Sequence, residues 1–280
     1  MPDRLTVYVS SCDGYSDCWE PFFRLFARYW PDFSGRIFLG TEYRDYAVNG
    51  LPVTAQQVCL RRGIPASERV PWSRFTRWAL EDIDADVILF MQEDFFLRGS
   101  VQTGQIDRLL NLMEMQPEIA CIHLTDQGVL SEGPSAFENL DVVRLRQRYR
   151  VSCQCALWRK QELLSILRDE ESAAEFEEFG SRRSAAAGKL YLAVNKDFVC
   201  KDRYEIVPYV FTGIIQGRWN REVVPLFAEN GIDVDYSVRG FTDDPRPPKP
   251  LGRKLAYQWR HLKLFLRNEY ALRIRPQRTA

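Results

Sequence analysis

Val87-Ile88-Leu89-Phe90-Met91-Gln92-Glu93-Asp94 is an unbroken apolar run closed by one amide and two carboxylates. Five apolar residues without polar alternation predict a β-strand covered on both faces, the pattern of a sheet layered between helices. The carboxylates begin where the apolar run stops. They therefore fall at the carboxyl end of a buried strand, where the loops of an open α/β sheet converge on ligands.

The flanking segments fit the same plan. Leu5–Ser10 is apolar and β-branched, Ser10-Ser11-Cys12-Asp13-Gly14 is turn chemistry, and Trp19–Trp30 carries Phe22, Phe23, Phe26 and Trp30 at helical spacing. Pro31 to Gly35 breaks that helix and Arg36–Gly40 is a second short strand, giving a β-loop-α-β unit. Phe75, Trp78 and Ala79 predict a helix over Arg74–Ile83 with Ser73 as its N-cap. Ile106–Met115 follows as an amphipathic helix closed by Pro117, and Ile119–Leu124 as a strand. This alternation predicts an α/β protein with a mixed, mostly parallel, Rossmann-like sheet flanked by helices.

Later segments are less regular. Val142–Leu145 and Val151–Leu157 read as strands, Lys160–Leu167 as a helix, and Glu170–Glu178 as an acidic loop leading into another helix. Leu190–Val194 with Phe198-Val199 reads as strands or a small helix, and Ile206–Phe211 as strand. Asp-Asp-Pro-Arg-Pro-Pro-Lys-Pro from Asp243 can be neither helix nor central strand. The expected organisation is one domain over residues 1–242, a proline-rich linker over 243–252 and a basic helical tail over 253–280. Within the tail, Lys254–Ile274 is an amphipathic helix in which Trp259, Leu262, Leu266 and Tyr270 alternate with Arg260, Lys263, Arg267 and Arg273, and Arg253 and Arg275 flank it. Such a helix can rest on an anionic membrane surface or dock on its own domain or on another chain.

Composition narrows the class. With 280 residues, 45% of them hydrophobic, the chain can bury a substantial core. Thirty-eight Lys plus Arg balance thirty-eight Asp plus Glu, which removes the whole-protein field that would gather nucleic acid. Leu5–Val9 is too brief for a signal-peptide core, and no apolar stretch nears the roughly 20 residues that span a bilayer. A cytoplasmic protein is expected, with any peripheral membrane contact through the tail. The seven cysteines are an odd number and several lie in apolar runs, so they read as free thiols. Cys153-x-Cys155 has no second pair, and His123 and His261 are the only histidines, which argues against a zinc site.

Two adjacent carboxylates at the edge of a buried strand repel each other and resist desolvation, a condition that a hard divalent cation such as Mn2+ or Mg2+ relieves. Such a cation can bridge diphosphate oxygens. The alternative is a solvated pair opening a loop.

Val87–Leu97, V-I-L-F-M-Q-E-D-F-F-L, resembles the strand-plus-acid motif of GT-A glycosyltransferases, whose Asp-x-Asp element closes an apolar strand. Val7–Glu20 (V-Y-V-S-S-C-D-G-Y-S-D-C-W-E), Pro71-Trp72-Ser73, and Val151–Ser181 with its Q-C-A-L-W-R-K core and E-F-E-E-F-G-S end are similar to a bacterial glycosyltransferase-like group of surface polysaccharide assembly. The resemblance covers roughly residues 5–220. It implies a GT-A-like fold and transfer of a sugar, with inversion, from a nucleotide-sugar donor to a carbohydrate or lipid-linked acceptor. It also implies roles for residues. Asp94 matches the last acid of Asp-x-Asp and is the first choice as metal ligand, Glu93 is the second, and Gln92, standing where the first acid would be, would contact ribose or metal. The first-strand loop would hold base and ribose, which assigns Ser10, Ser11, Asp13 and Tyr15 to the donor, with Thr41 and Glu42 as further candidates. Glu175 and Glu177 match the E-F-E element that carries the general base, with Ala174 replacing the aromatic before it.

Each assignment has a structural counterpart. Ser11 or Asp13 can cap a turn, and Glu170, Glu171 and Glu178 can be a solvated acidic helix start. Arg74 and Arg77 can reach a diphosphate or lie along a solvated face. Thr212–Trp219, with Gly213, Gly217 and Arg218, can cradle a phosphate or turn a hairpin. His123 reads as core or pocket wall. Two other functions compete: a nucleotidyltransferase acting on a sugar phosphate, which would want a Gly-rich loop after the first strand, and a non-catalytic scaffold.

Overall fold

The computed structural model describes residues 5–125, 128–245 and 251–274. Its first half runs β1 (Leu5–Ser10), α1 (Trp19–Tyr29), β2 (Gly35–Leu39), β3 (Val53–Ala55), α2 (Val58–Arg61), α3 (Trp72–Glu81), β4 (Val87–Gln92), α4 (Thr103–Met115) and β5 (Ile119–His123). There follow β6 (Ser131–Pro134), β7 (Leu140–Val143), β8 (Ala156–Arg159), α5 (Lys160–Ile166), α6 (Ala173–Glu175), a π-helical turn at Phe176–Gly180, α7 (Ser181–Ala185) and β9 (Leu190–Val194). The hairpin β10 (Ile214–Ile215) and β11 (Arg218–Trp219), then α8 (Val223–Glu229) and α9 (Leu251–Ile274), complete the described chain.

Nine strands form one mixed sheet in the order β3-β2-β1-β4-β8-β5-β9-β7-β6. β1 is parallel to both β2 and β4, while β8 is antiparallel to β4 and β5. The pleat of β4 shows why its apolar run is continuous. Leu89 and Met91 enter one core with Phe22, Phe26, Ile106 and Leu110 from α1 and α4, and Ile88 and Phe90 enter the other with Phe75, Ala79 and Leu163 from α3 and α5. Side chains alternate across a strand, so a strand with helices on both faces needs apolar residues at every position. The α/β expectation with a mixed, mostly parallel sheet holds.

Three local expectations are corrected. Helix α3 starts at Trp72, with Pro71 as N-cap at φ −60 and ψ 147. The proline ring holds φ near that value, and Ser73 is buried at the second helical position, its Oγ without a hydrogen-bond partner among the described residues. Residues 151–155 are not strand, because side chains replace a neighbouring ladder: Val151 N–H donates to Ser181 Oγ and Cys153 N–H to Glu177 Oε1. Ile206–Phe211 is irregular, following residues 96–102 through Gln102 N–H to Ile206 O, Arg98 N–H to Pro208 O and Val210 N–H to Phe96 O. Pro208 has no N–H to continue a ladder.

Helix α9 lies on its own domain. Arg260 pairs with Glu175 at 2.7 Å, His261 with Glu178 at 3.0 Å and Arg267 with Glu170 at 2.5 Å, so the basic helix lies along the acidic segment. Asn268, buried, accepts from Arg183. Residues 246–250 of the proline-rich stretch lie outside the described residues, as do Arg275 and the side chains of Arg253, Lys254 and Arg273. Among the described residues no helix is long and apolar enough to cross a membrane.

Beneath α9, Arg183 donates two bonds to Glu171 at 2.6 and 2.7 Å, with both side chains buried. Removing one partner strands the other charge. Arg183→Met is expected to cost about 3–5 kcal/mol of unfolding free energy by chemical denaturation, and adding Glu171→Leu to restore most of it. Burial pushes Glu171 upward and Arg183 opposes it, so the stranded acid relieves itself by protonation. The loss should therefore shrink as the pH is lowered. Equal stability of single variant and wild type at pH 8 would refute this account.

Candidate functional site

The site lies where the sheet reverses its order. From β1 the chain steps outward to β2 and β3 on one side and returns to β4 on the other, leaving a crevice beyond the carboxyl ends of β1 and β4. Ser10 and Gln92 are register partners there, and Glu93 and Asp94 follow immediately. Both acids are nearly covered, Glu93 8% and Asp94 6% exposed. Because β8 runs antiparallel beside β4, its incoming loop, residues 151–155, arrives at the same edge.

The hairpin β10–β11 covers Asp94. Its turn residues Gln216 (φ 53) and Gly217 (φ 81) both occupy the left-handed region, as a two-residue hairpin requires. Gly213 N–H donates to Asp94 O and Ile214 N–H to Asp94 Oδ2, each at 3.0 Å. A Cβ on Gly213 would stand 2.3 Å from the Phe96 ring and 2.8 Å from Asp94 O, so this glycine serves close packing of backbone on β4's extension. Of the two readings of Thr212–Trp219, the hairpin is the observed one. Burial raises Asp94 to about 6 against the pull of those backbone N–H groups. Glu93 rises well above the ordinary carboxylate range through burial and the charge of Asp94, with Arg239 opposing.

Arg239 had no sequence signal. It donates to both carboxylate oxygens of Asp17, at 2.6 and 2.5 Å, and to Gly14 O, and its guanidinium lies 4.5 Å from the Tyr15 ring centroid. With Asp13, Asp17, Arg44 and Arg218 it lines a cleft of about 580 Å³ between the first-strand loop and the hairpin. Only the fold brings a residue 222 positions from Asp17 to that wall.

The remaining sequence candidates divide. Ser10 Oγ accepts from the Trp72 indole at 3.3 Å and Ser11 Oγ from the Trp19 indole at 2.8 Å, so both hydroxyls brace the crevice. Asp13 does line the cleft, yet its carboxylate takes the backbone N–H groups of Glu42, Tyr43 and Arg44, clamping the loop after β2. Thr41 is fully buried and accepts from Gln57 N–H. The guanidinium of Arg77 is taken by Asp169 and the carbonyls of Leu164 and Leu167 at the end of α5. Arg218 lines the cleft but spends its donors on the carbonyls of Phe241 and Asp244. His123 is core, its Nε2 3.0 Å from Arg150 O, and burial lowers it to about 4. All seven cysteines are free thiols.

The two base candidates separate clearly. Glu175 closes a capping box with Ser172 and pairs with Arg260, so its charge holds the start of α6 and the tail helix. Glu177 sits on the π-helical turn, a rare conformation that recurs at functional sites. Its Oε1 accepts from Cys153 N–H at 2.9 Å, which places it beside the loop that enters β8. Burial raises Glu177 above the ordinary carboxylate range, with Cys153 N–H and Arg148 opposing. A packed path joins it to the acids: Gln154 accepts from Tyr209 OH at 2.9 Å, and Tyr209 stacks on Phe95, the residue after Asp94, at 4.7 Å.

Among the described residues, no group of three His, Cys, Asp or Glu side chains could hold a metal ion. Glu93 and the second oxygen of Asp94, with the Gln92 amide beside them, supply a partial oxygen set. That set suits a cation such as Mg2+ or Mn2+, which usually takes one or two carboxylates and completes its shell with phosphate oxygens and water.

No protein-family model matches the chain, and no curated protein does. Among solved structures it is similar to S. aureus TarS 1–349 in complex with UDP, at 12% identity and a TM-score of 0.48, over 84% of this chain and 68% of that one. It is also similar to the mannosyltransferase PcManGT from Pyrobaculum calidifontis in complex with GDP-Man and Mn2+, at 15% identity and 0.41, over 97% and 74%. A third likeness is to CMP:2-keto-3-deoxy-manno-octonic acid synthetase complexed with CTP, at 14% identity and 0.40, over 80% and 99%. Likenesses of this depth leave the reaction to be argued from the site itself.

Proposed function

We propose that this chain is a GT-A-type, nucleotide-sugar-dependent glycosyltransferase that moves a sugar, with inversion, to a carbohydrate or lipid-linked acceptor in bacterial surface polysaccharide assembly. The observation that carries the reading is the buried pair Glu93 and Asp94 at the sheet's switch point, held side by side at the cost of mutual repulsion. Two acids so placed are poor structure and a good seat for a cation and a diphosphate.

Glu93, Asp94 and the Gln92 amide would hold Mn2+ or Mg2+, and a cation bound there neutralises charge on the leaving nucleoside diphosphate. Asp13, Arg44 and Arg239, the last lying over the Tyr15 ring, line the cleft that would receive the nucleotide. Glu177 takes the proton of the acceptor hydroxyl as its oxygen bonds to the anomeric carbon and the bond to the diphosphate breaks, its electron pair leaving with the diphosphate. Burial raises the proton affinity of Glu177, which strengthens it as a base.

Titration calorimetry with manganese and a panel of nucleoside diphosphates is expected to show binding of one of them, dependent on the metal and lost in Asp94→Ala. No binding of any nucleotide by the wild type would end the proposal. Consumption of a nucleoside triphosphate and a sugar phosphate with release of pyrophosphate would instead identify a nucleotidyltransferase.

A further inference from the structure

A second cleft, of about 840 Å³, opens between the loop after β7 and helices α7 and α9. Arg146, Gln147 and Arg148 form one wall; Glu178 and Arg182 stand on the π-helical turn and α7, and Glu269 on α9. The loop is built to present its arginines. Arg150, buried, donates to the carbonyls of Val143 and Lys189 and lies 4.3 Å from the Tyr191 ring centroid, and Gln147 clasps both the N–H and the carbonyl of Leu130. Between these anchors Arg146 and Arg148 stay exposed and make no ion pair among the described residues. Glu269 pairs with Arg182, and Glu178 lies in hydrogen-bond contact with the His261 ring at 3.0 Å. Arg146 and Arg148 are the cations of the cleft outside any ion pair among the described residues, beside apolar patches from Leu145 and Leu272.

Two forked cations outside any ion pair among the described residues suit phosphate oxygens. The size of the cleft suits a small headgroup, and the flanking acids oppose an extended polyanion. Position ties the cleft to the chemistry. On its wall Glu178 follows Glu177 on the π-helical turn and Ser181, the first residue of α7, donates to Glu177 O at 2.6 Å, and Arg148 is close enough to oppose the rise of Glu177. Further along α9, Trp259, Leu262, Leu266 and Tyr270 are exposed at spacings of three and four residues, an apolar stripe on the helix that forms one side of the cleft.

We propose that this cleft is the acceptor subsite and that its ligand is a diphosphate-bearing lipid, the diphosphate held by Arg146 and Arg148 and the chain leaving past Leu145 and Leu272 toward the α9 stripe. This rests on the sugar-transfer reading for its purpose but not for its binding chemistry.

Titration calorimetry of inorganic pyrophosphate into the full chain, in EDTA so that no metal serves the donor site, tests it. Wild type is expected to bind, Arg146→Ala/Arg148→Ala to lose about tenfold or more in affinity, and Arg146→Lys/Arg148→Lys to retain most of it. Farnesyl diphosphate should bind more tightly than pyrophosphate, and farnesol should not bind. Wild type that ignores pyrophosphate, or an alanine pair that binds it equally, overturns the proposal. So does loss of manganese-dependent nucleoside diphosphate binding in the alanine pair, which would assign these arginines to the donor. If wild type binds no nucleoside diphosphate while the pyrophosphate result stands, the sugar-transfer reading fails and the diphosphate site survives.

Discussion

Replacing Glu177 by glutamine is expected to lower kcat about 10²- to 10⁴-fold while leaving nucleoside diphosphate affinity unchanged. Glutamine keeps the carbonyl oxygen that accepts Cys153 N–H, so the loop into β8 stays in place and only the proton acceptor is lost. The pH profile separates this role from a structural one. Burial raises the acid, so wild-type kcat should fall on the acidic side at a pH above the usual carboxylate range, because the protonated form cannot act as base. That limb should vanish from the residual activity of Glu177→Gln. Glu175→Gln should leave the limb intact and lower stability instead, since its carboxylate serves a helix cap and Arg260. A Glu177→Gln enzyme with kcat within about tenfold of wild type would remove Glu177 from the mechanism.

Asp94→Asn is expected to raise the melting temperature at pH 7.5 by several degrees while abolishing manganese-dependent nucleotide binding. A carboxyl moved from 3.8 to about 6 has its ionised form disfavoured in the fold by about 3 kcal/mol. The direction follows from the raised value: protonation favours the folded state, so stability is full below about pH 4 and declines as pH rises toward 6. Asparagine keeps an acceptor for Ile214 N–H and cannot ionise. At about 2–4 °C per kcal/mol for a chain of this order, differential scanning calorimetry resolves the gain. The gain should disappear at pH 4, where wild type is already protonated. A variant that melts below wild type at pH 7.5, or gains equally at pH 4, would show that Asp94 is not held in strained ionisation. Wild type should itself gain stability from manganese with the preferred nucleoside diphosphate, by mass action on the folded state.

Residues 87–94 carry most of what was legible. Hydrophobic period is a local property, so β1, α1, β2, β4, α4 and β5 could be placed within a few residues from the chain alone, and the acids could be placed at a strand end. Sequence could not give strand order. That β8 runs antiparallel beside β4 depends on which apolar edges meet, and it alone brings the loop at 151–155 to the edge that holds Glu93 and Asp94. The short strands β3 and β6 were missed for a related reason: they span three and four residues, too few to show a period.

For the candidate residues, side-chain type was legible and the surroundings were not. Thr41 and Arg77 are ligand-capable groups already satisfied by Gln57 N–H and by the end of α5. Their partners lie 16 and 90 positions away, and hydrogen-bond saturation at that range leaves no trace in spacing. Arg239 is the converse, silent in sequence and joined to Asp17 across the whole domain. By itself the sequence determined that this chain is a layered α/β protein with two acids where a buried strand ends, because burial and periodicity are written residue by residue. Tertiary structure decided the rest. It determined which carboxylates are buried without sufficient donors, which of Glu175 and Glu177 is already occupied, and where the basic tail lies, because these are properties of neighbours brought together by folding.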